Sequence, residues 1–345
     1  MRLIALFIIS CLYSCAGKRY QSYDFIIRGF AEVPSISIDL KPQSDTFVEP
    51  DSAEPSDTDI PDNYEFVSKK LDSIILSPKA TVVRGAELGF WGFTARYGNS
   101  KPASSTASAV TENQIHYASG LASFSYYDQN YTGFSSSREF TTTYRIKSGA
   151  DAGEENTVTE RQALSFHETT LKKRGLQIIL NPTFNYFTLE AISGDVKPQV
   201  SSLGTLIMLS AEELIIESFP NDLLSYLDAQ DKLPENFSQS TAGLGFGFGG
   251  SYVWDNGNSL SLATLTSNSQ VVSGDRKQLK RTLLDGKGDK ETTLKTVTQF
   301  GLLFPSKNGF FWGLKLIGDS TQLPRDDFNM EVTSTLTQLY MGYGS

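Results

Sequence analysis

The feature that most constrains this chain is an alternation of apolar and small residues, repeated in segment after segment from about Val82 onward. In AGLGFGFGGSYVW, residues 242–254, the even positions carry mostly Leu, Phe, Tyr and Trp, whereas positions 243–249 on the odd side carry only glycine. A β-strand turns successive side chains to opposite faces, so this period of two predicts strands with one apolar face and one bare face. About twelve such segments follow one another, separated by turn residues.

The same stretch contains G-x-G-x-x-G as Gly245–Gly250, the glycine pattern of dinucleotide-binding folds. That fingerprint needs a helix after the glycines and an acidic residue about 20 positions further on. Here Tyr252 and Trp254 continue the alternation, and a turn at Asp255–Gly257 leads into another alternating segment. The glycines are therefore predicted to thin the inner wall of a strand, where a neighbouring segment approaches closely.

Alternation alone does not separate a membrane barrel from a soluble β-sandwich, which has one face in a core and one in water. Three features favour the barrel: aromatic residues near the ends of the segments, an opposite face of Gly, Ser, Thr and Gln, and an export signal. Strands in lipid must close into a ring, because each unpaired backbone group is costly there. The sequence therefore predicts an all-β fold, a membrane-spanning antiparallel β-barrel of about twelve strands over residues 66–345. The predicted interfacial aromatics are Trp91, Tyr252, Trp254, Phe310, Trp312, Tyr340 and Tyr343.

The N-terminus, residues 1–16, has the form of a signal peptide: one Arg, an apolar run and then small residues. Either LYSC is a lipobox that makes Cys15 a lipidation site, or cleavage follows Ala16. Cys11 and Cys15 are the two cysteines of the chain, so the mature part is predicted to have no disulfide and no thiolate metal site.

Residues 17–65 are predicted to be an exported N-terminal segment. Over 36–65 it is rich in Asp, Glu and Pro, which predicts a solvated linker. Residues 210–237 break the strand pattern, since Leu214, Ile215 and Phe219 recur at helical spacing. They predict a short helical insert beside or inside the barrel.

The charge balance bears on partners. A formal net charge of -9 and a pI near 4.9 argue against nucleic acid. The predicted partners are outer-membrane lipid and the barrel-assembly machinery. Lipopolysaccharide is a further candidate, because Glu160, Arg161, Glu168 and the basic run Lys172–Arg174 either line a polar lumen, bind its phosphates, or form a solvated strand end. The basic stretch 275–290 is a second candidate for phosphate binding.

Candidate chemistry is sparse. The two histidines, His116 and His167, are predicted to lie with Lys315 in the lumen or at its rim. A hydrolase would need a histidine with a nearby serine: Ser119, Ser123 and Ser125 lie near His116 in sequence, and Ser165 lies near His167. No P-loop, HExxH or G-x-S-x-G pattern occurs, and the sequence predicts no cofactor and no metal site.

Four blocks resemble, in order, those of an outer-membrane β-barrel family of unknown function (domain of unknown function 4421 type), common in Bacteroidota and in predatory bacteria. They are residues 77–98, 119–134, 163–180 and 243–254, and the resemblance covers about residues 70–345. Arg174 departs from the family, whose members more often carry Lys-Lys-Ser there. The resemblance implies an outer-membrane barrel in the envelope of a Gram-negative bacterium, and it implies no activity.

The sequence leaves several functions open. A barrel of this size predicts a passive small-solute channel or a structural protein of the envelope, and not an enzyme. The alternatives are a barrel-based outer-membrane enzyme of lipase or protease type, and a surface protein for adhesion or assembly.

Overall fold

The computed structural model describes residues 20–42, 63–79, 81–100, 108–119, 122–149, 151–182, 196–219, 237–272, 292–324 and 328–345. Regular structure within these ranges consists of strands, and no helix there is long and apolar enough to cross a membrane. The strands are β1 Tyr20–Ser22, β2 Phe25–Pro42, β3 Tyr64–Ser77, β4 Val83–Phe90, β5 Phe93–Asn99, β6 Ala109–Ser119, β7 Ala122–Ile146, β8 Glu155–Leu180, β9 Val196–Pro198, β10 Ser202–Glu217, β11 Phe237–Val253, β12 Ser259–Val272, β13 Thr292–Pro305, β14 Phe310–Pro324 and β15 Phe328–Gly344.

Twelve strands form a closed antiparallel ring, in the order β2–β4–β5–β6–β7–β8–β10–β11–β12–β13–β14–β15. The ring closes where β15 pairs with β2, from Phe328 opposite Pro42 to Gly344 opposite Ile26. Closure gives every one of the twelve strands a paired neighbour on both sides over part of its length, which confirms the predicted barrel. The short strands β1 and β9 pair with each other outside the ring.

One end of the barrel, which we call the base, carries tight turns and the C-terminus. Trp91 and Gly92 form a two-residue hairpin turn with φ angles of 49° and 83°, the positive values that such turns require. At the same end the carbonyl oxygen of Phe25 accepts a hydrogen bond of 3.0 Å from the backbone N–H of Ser345. The half of each strand nearer the base is called the lower half below, and the other the upper half.

The wall has more strands in the lower half than in the upper half between β2 and β7. In the lower half β4, β5 and β6 lie between them, whereas higher up β3 pairs with both. The change occurs at a β-bulge in β7, where Gly133 has a φ of 79° and its carbonyl accepts a 2.7 Å hydrogen bond from the Ser108 hydroxyl. The β5–β6 hairpin thus widens only the part of the barrel nearer the base.

Strand β2 shows that the two halves have opposite polarity. Near the base its outward side chains are apolar, with Ile27 at 45% exposure, while Arg28 and Glu32 point inward and are buried. Beyond Pro34 the outward residues are Ser and Asp, while Ile36 and Ile38 are fully buried inside. This placement corrects the predicted domain boundary, because the barrel begins with β2, and the part of β2 from Ile36 to Pro42 lies in the predicted linker. Of the rest of that linker, residues 43–62 lie outside the described residues, and Tyr64 and Glu65 begin β3.

The predicted helical insert is wrong for its first part. Residues 210–217 belong to β10, which pairs with β8 on one side and β11 on the other. Leu214 and Ile216 point inward and are buried, so their spacing is that of a strand. The apolar run Leu214–Ile216 imitates helical spacing because the outward Ile215 interrupts the alternation. Residues 220–236 of the predicted insert lie outside the described part of the chain.

The glycine-rich strand behaves as its period of two predicts. Leu244, Phe246 and Phe248 point outward with exposures of 48%, 61% and 61%. A Cβ atom on Gly247 would lie 2.0 Å from the carbonyl oxygen of Thr264, and one on Gly245 would lie 3.1 Å from the Met208 methyl group. The inner glycines therefore allow close approach of both neighbouring strands, β10 and β12.

Candidate functional site

The lower half of the lumen is lined by buried charged side chains. They come from the inward positions of eight strands, each of which carries apolar side chains on its outward face. Within the described residues there are five cations and five carboxylates, so the formal charges balance. They are Arg28, Arg96, Lys173, Lys295 and Lys315, with Glu32, Glu87, Glu112, Glu212 and Asp319.

The first network is centred on Arg96 of β5. Its guanidinium is bound by the carboxylates of Glu32 and Glu112, the latter at 3.1 Å, and donates a hydrogen bond of 3.4 Å to Gln338. The same guanidinium lies 4.1 Å above the Phe30 ring. The contacts join β2, β5, β6 and β15, so one side chain ties the closing seam of the ring to the hairpin beside it.

A second ion pair lies nearer the base, where the Arg28 guanidinium binds the Glu87 carboxylate. Arg28 also faces the ring of Tyr340 at 5.3 Å. Both charged side chains are about 95% buried. Burial removes the hydration of both groups, and only a close, well-oriented contact between them offsets that cost.

The second network crosses the lumen on the other side. The Lys173 ammonium lies 2.5 Å from Asp319 and 3.8 Å from Glu212, and Lys295 lies 2.5 Å from Glu212. The Tyr127 hydroxyl donates to Glu212, and the Ser334 hydroxyl donates to Asp319. These contacts connect six strands, and every charge in the network faces an opposite charge, which offsets the cost of its burial.

A polar chamber of about 140 Å³ lies between the two networks. On its wall His116 of β6 faces Ser125 of β7, with 2.7 Å between the imidazole Nδ1 and the hydroxyl oxygen. His116 is 9% exposed, and its Nε2 has no hydrogen-bond partner among the described residues. The amide side chains of Gln114 and Gln299 also line the chamber. Its wall therefore combines paired charges such as Arg96 and Lys173, neutral polar groups, and apolar side chains such as Val297 and Ile317.

Apolar side chains fill the lumen on both sides of this polar layer. Towards the base Ile26, Leu303, Phe311 and Tyr340 are buried, and Phe311 stacks on Tyr23 with 5.5 Å between ring centroids. In the upper half a larger apolar cluster fills the interior. Its members include Ile36, Ile38, Leu40, Leu71, Ile74, Leu76, Phe134, Phe140, Leu214, Ile216, Met330 and Val332.

The exposed aromatic residues form part of an outward belt to which all twelve ring strands contribute. Of the predicted interfacial aromatics, Trp91, Tyr252, Trp254, Phe310, Trp312 and Tyr343 are exposed on the barrel surface, by 37% to 78%. Tyr340 is the exception: it points into the lumen and is 2% exposed. Its predicted place was wrong because it lies three residues from Tyr343, an odd number that puts the two on opposite faces.

The polar candidates divide in a similar way. His116 and Lys315 lie in the lumen, at the chamber wall. His167 lies in β8 opposite Phe134, but its side chain is outside the described residues, as is Cys15. In the basic run, Lys173 points into the lumen, whereas Arg174 lies outside and contacts Asp128 at 3.4 Å. The basic stretch 275–290 also lies outside the described part.

The chamber wall holds a Ser–His pair, formed by Ser125 and His116. A Ser–His pair activates a nucleophile when a third group orients the imidazole, and within the described residues no group does so for Nε2 of His116. No group of three or more His, Cys, Asp or Glu among those residues is placed to hold a metal ion. The arrangement is suited to hydrogen bonding with a polar molecule.

Sequence reasoning missed most of the lumen charges. The available signal was a lone charge at an inward position of a strand that is otherwise small or apolar on that face, as for Arg96 between Thr94 and Gly98. Which charge meets which depends on pairing between residues up to 318 positions apart in sequence, as for Ile26 and Gly344 at the closing seam. No local sequence pattern contains that information.

No protein-family model matches this chain, and no curated protein sequence matches it. Among solved structures it is similar to the outer-membrane protease OmpT of Escherichia coli, at 9% identity and a TM-score of 0.36, over 96% of this chain and 100% of that one. The translocator domain of the autotransporter NalP from Neisseria meningitidis matches at 11% identity and a TM-score of 0.28, over 99% and 96%. The β domain of the Bordetella autotransporter BrkA matches at 9% and 0.30, over 91% and 98%. Likeness at this level says nothing about activity.

Proposed function

We propose that this chain is an outer-membrane β-barrel with a closed lumen, serving as a structural protein of the envelope. The observation that carries the proposal is the opposite polarity of the two halves. The lower half is apolar outside and holds the layer of buried charges inside, which is the pattern of a barrel in lipid. The upper half is polar outside and apolar inside, as a barrel in water must be.

The outward belt supports placement of the lower half in a bilayer. On β11 it extends from Leu244 to Tyr252, and on β15 from Leu339 to Tyr343. Contiguous exposed apolar surface that encircles a protein is unfavourable in water, and lipid removes that cost. Short turns mark the periplasmic end of such barrels, so the base faces the periplasm in this proposal and the upper half projects outward.

The filled lumen favours a structural role over a passive channel. A channel needs a continuous water-filled path, but the described residues put apolar side chains both above and below the polar layer. The resemblance to an outer-membrane barrel family of unknown function is consistent with this proposal and stays a prediction.

Three measurements on the full-length protein test the proposal. We expect it in the outer-membrane fraction, and we expect its gel mobility in detergent to change on heating. In planar bilayers we expect no steady conductance. Absence from that fraction contradicts the location, and stable conductance steps contradict the closed lumen and favour the channel.

A second candidate function, assembly with another protein, rests on the free edge of β8. Residues 155–168 pair with β7 on one side, and β10 reaches only to Thr170 on the other side, within the described residues. Such an edge can pair with an extended segment of a partner. We expect T157K and T159K together to reduce cell-to-cell or cell-to-surface attachment, while S35K and T335K on exposed positions of β2 and β15 do not. Equal attachment by both variants would remove this candidate.

A further inference from the structure

We propose that the polar chamber inside the barrel binds a small neutral polyhydroxy solute, of the size and chemistry of a monosaccharide. This site goes beyond the envelope role and does not depend on it. The inference stands on three properties of the chamber: its volume, the charge balance around it, and the polar groups that remain unpaired on its wall.

The volume is suitable for such a molecule. A water molecule needs about 10–15 Å³ of space measured in this way, so a chamber of 140 Å³ holds about ten waters. A hexose has twelve heavy atoms, about the number of water-sized groups that this space holds, so one sugar ring is near the upper limit of what fits. An adjacent cavity near Gln239 measures only 10 Å³ and has no such capacity.

The charge balance argues against an ionic ligand. Arg96 is bound by two glutamates, and Lys173 and Lys295 are bound by Glu212 and Asp319. With five cations and five carboxylates in the lower lumen, an added ion leaves one charge uncompensated in a buried site, which is unfavourable. A neutral solute avoids that cost.

The remaining wall groups match hydroxyls. Gln114 and Gln299 each present a donor and an acceptor on one amide, and His116 offers its unpaired Nε2. A hydroxyl group is also both donor and acceptor. Several hydroxyls on one sugar ring can therefore donate hydrogen bonds to the acceptors of this wall and accept them from its donors. The imidazole Nδ1, held at 2.7 Å from Ser125, fixes the direction in which Nε2 points.

The test is equilibrium dialysis of the full-length barrel in detergent against radiolabelled D-glucose, with gluconate and glucosamine as charged probes of similar size. Equilibration over many hours allows for entry through local opening of the wall. We expect saturable binding of glucose at one site per chain, and no saturable binding of either charged probe. Saturable binding of a charged probe in place of glucose, or none for any probe up to about 10 mM, overturns the proposal.

Variants locate the site. The double substitution Q114L and Q299L removes two hydrogen-bonding groups and is expected to weaken glucose binding at least about tenfold. Q322L, at an exposed position of β14, makes the same chemical change outside the lumen and should leave binding unchanged. Equal binding by all three proteins overturns the location. Should the double variant lose its heat-dependent gel shift, H116F gives the same comparison through Nε2 alone.

The result is separable from the envelope proposal, because dialysis in detergent needs no membrane and no conductance. Failure to bind glucose leaves the location and closed lumen as they stand. Conductance in planar bilayers contradicts the closed lumen without removing the binding site.

Discussion

The lower and upper halves of this barrel use one backbone in two opposite ways. On β2, Ile27 and Val33 face outward near the base while Arg28 and Glu32 face inward; further along, Ile36 and Ile38 face inward while Ser35 faces outward. Odd-numbered residues of β2 face outward and even-numbered residues face inward along its whole length. The two halves therefore differ only in whether the odd-numbered or the even-numbered residues are apolar. Side-chain polarity can therefore be matched to lipid or water independently along a single strand.

The largest loss of stability is expected from a charge placed in the interior of the upper half. I38D places a carboxylate among fully buried apolar side chains, and we expect it to lower the free energy of unfolding by more than about 4 kcal/mol. S37D, one residue away on the outward face, should change it by less than about 0.5 kcal/mol. Urea unfolding of both in lipid vesicles checks this, and similar losses would mean that the upper half is not an apolar core.

The second prediction concerns the interior of the lower half, where charge belongs. E212L removes the anion that Lys173 and Lys295 share, and leaving buried ammonium groups without it should cost about 3 kcal/mol. E213L changes the neighbouring outward residue and should cost much less. Unfolding of the two variants under the same conditions compares them, and equal stability would show that the network contributes nothing.

A third test addresses the outer surface. F248R puts a charge in the middle of the apolar belt on β11, and we expect a loss of about 2–3 kcal/mol in a bilayer. S35R, on the outward face above the belt, should be nearly neutral. The difference in stability between F248R and S35R should be smaller in detergent micelles, whose apolar layer is less defined than that of a bilayer. If F248R is as stable as S35R in vesicles, that part of the belt does not face lipid.

The smallest expected effect tests the close approach of strands at the inner glycines. G247A adds a Cβ that meets the backbone of β12 at 2.0 Å, so we expect a loss of about 1–2 kcal/mol. G29A adds a Cβ with nothing within 4 Å and should be neutral. Melting temperatures in one detergent are sufficient for this pair, and a neutral G247A would mean that β12 can move away without cost.

Much of the fold follows from the period of two. It gives the strand-rich chain, the ring of about twelve strands and the outward faces of β11 and β14. Prediction from this period fails where the apolar residues move from the outward to the inward face within one strand. Ile36 and Ile38 alternate with Ser and Asp in a stretch whose composition resembles a linker, and Leu214–Ile216 look helical. Both lie in the upper half, where the inner face becomes apolar.

The candidate site was only partly predictable. His116 and Lys315 were expected in the lumen or at its rim, and both lie on the chamber wall. Their neighbours come from strands that are remote in sequence, such as Glu212 beside Lys295. Pairing register decides which inward residues meet, and register depends on the whole ring rather than on any one segment.

The seam between β2 and β15 has a consequence for the order of events during synthesis. β2 is the first ring strand in the chain and β15 the last, so the ring cannot close before β15 is available. Until then both terminal strands of the growing sheet present unpaired backbone groups. Pairing over such sequence distances is slow, and the open intermediate is prone to aggregate. The unpaired edges of β2 and β15 are therefore exposed for the whole interval between the synthesis of the first ring strand and that of the last.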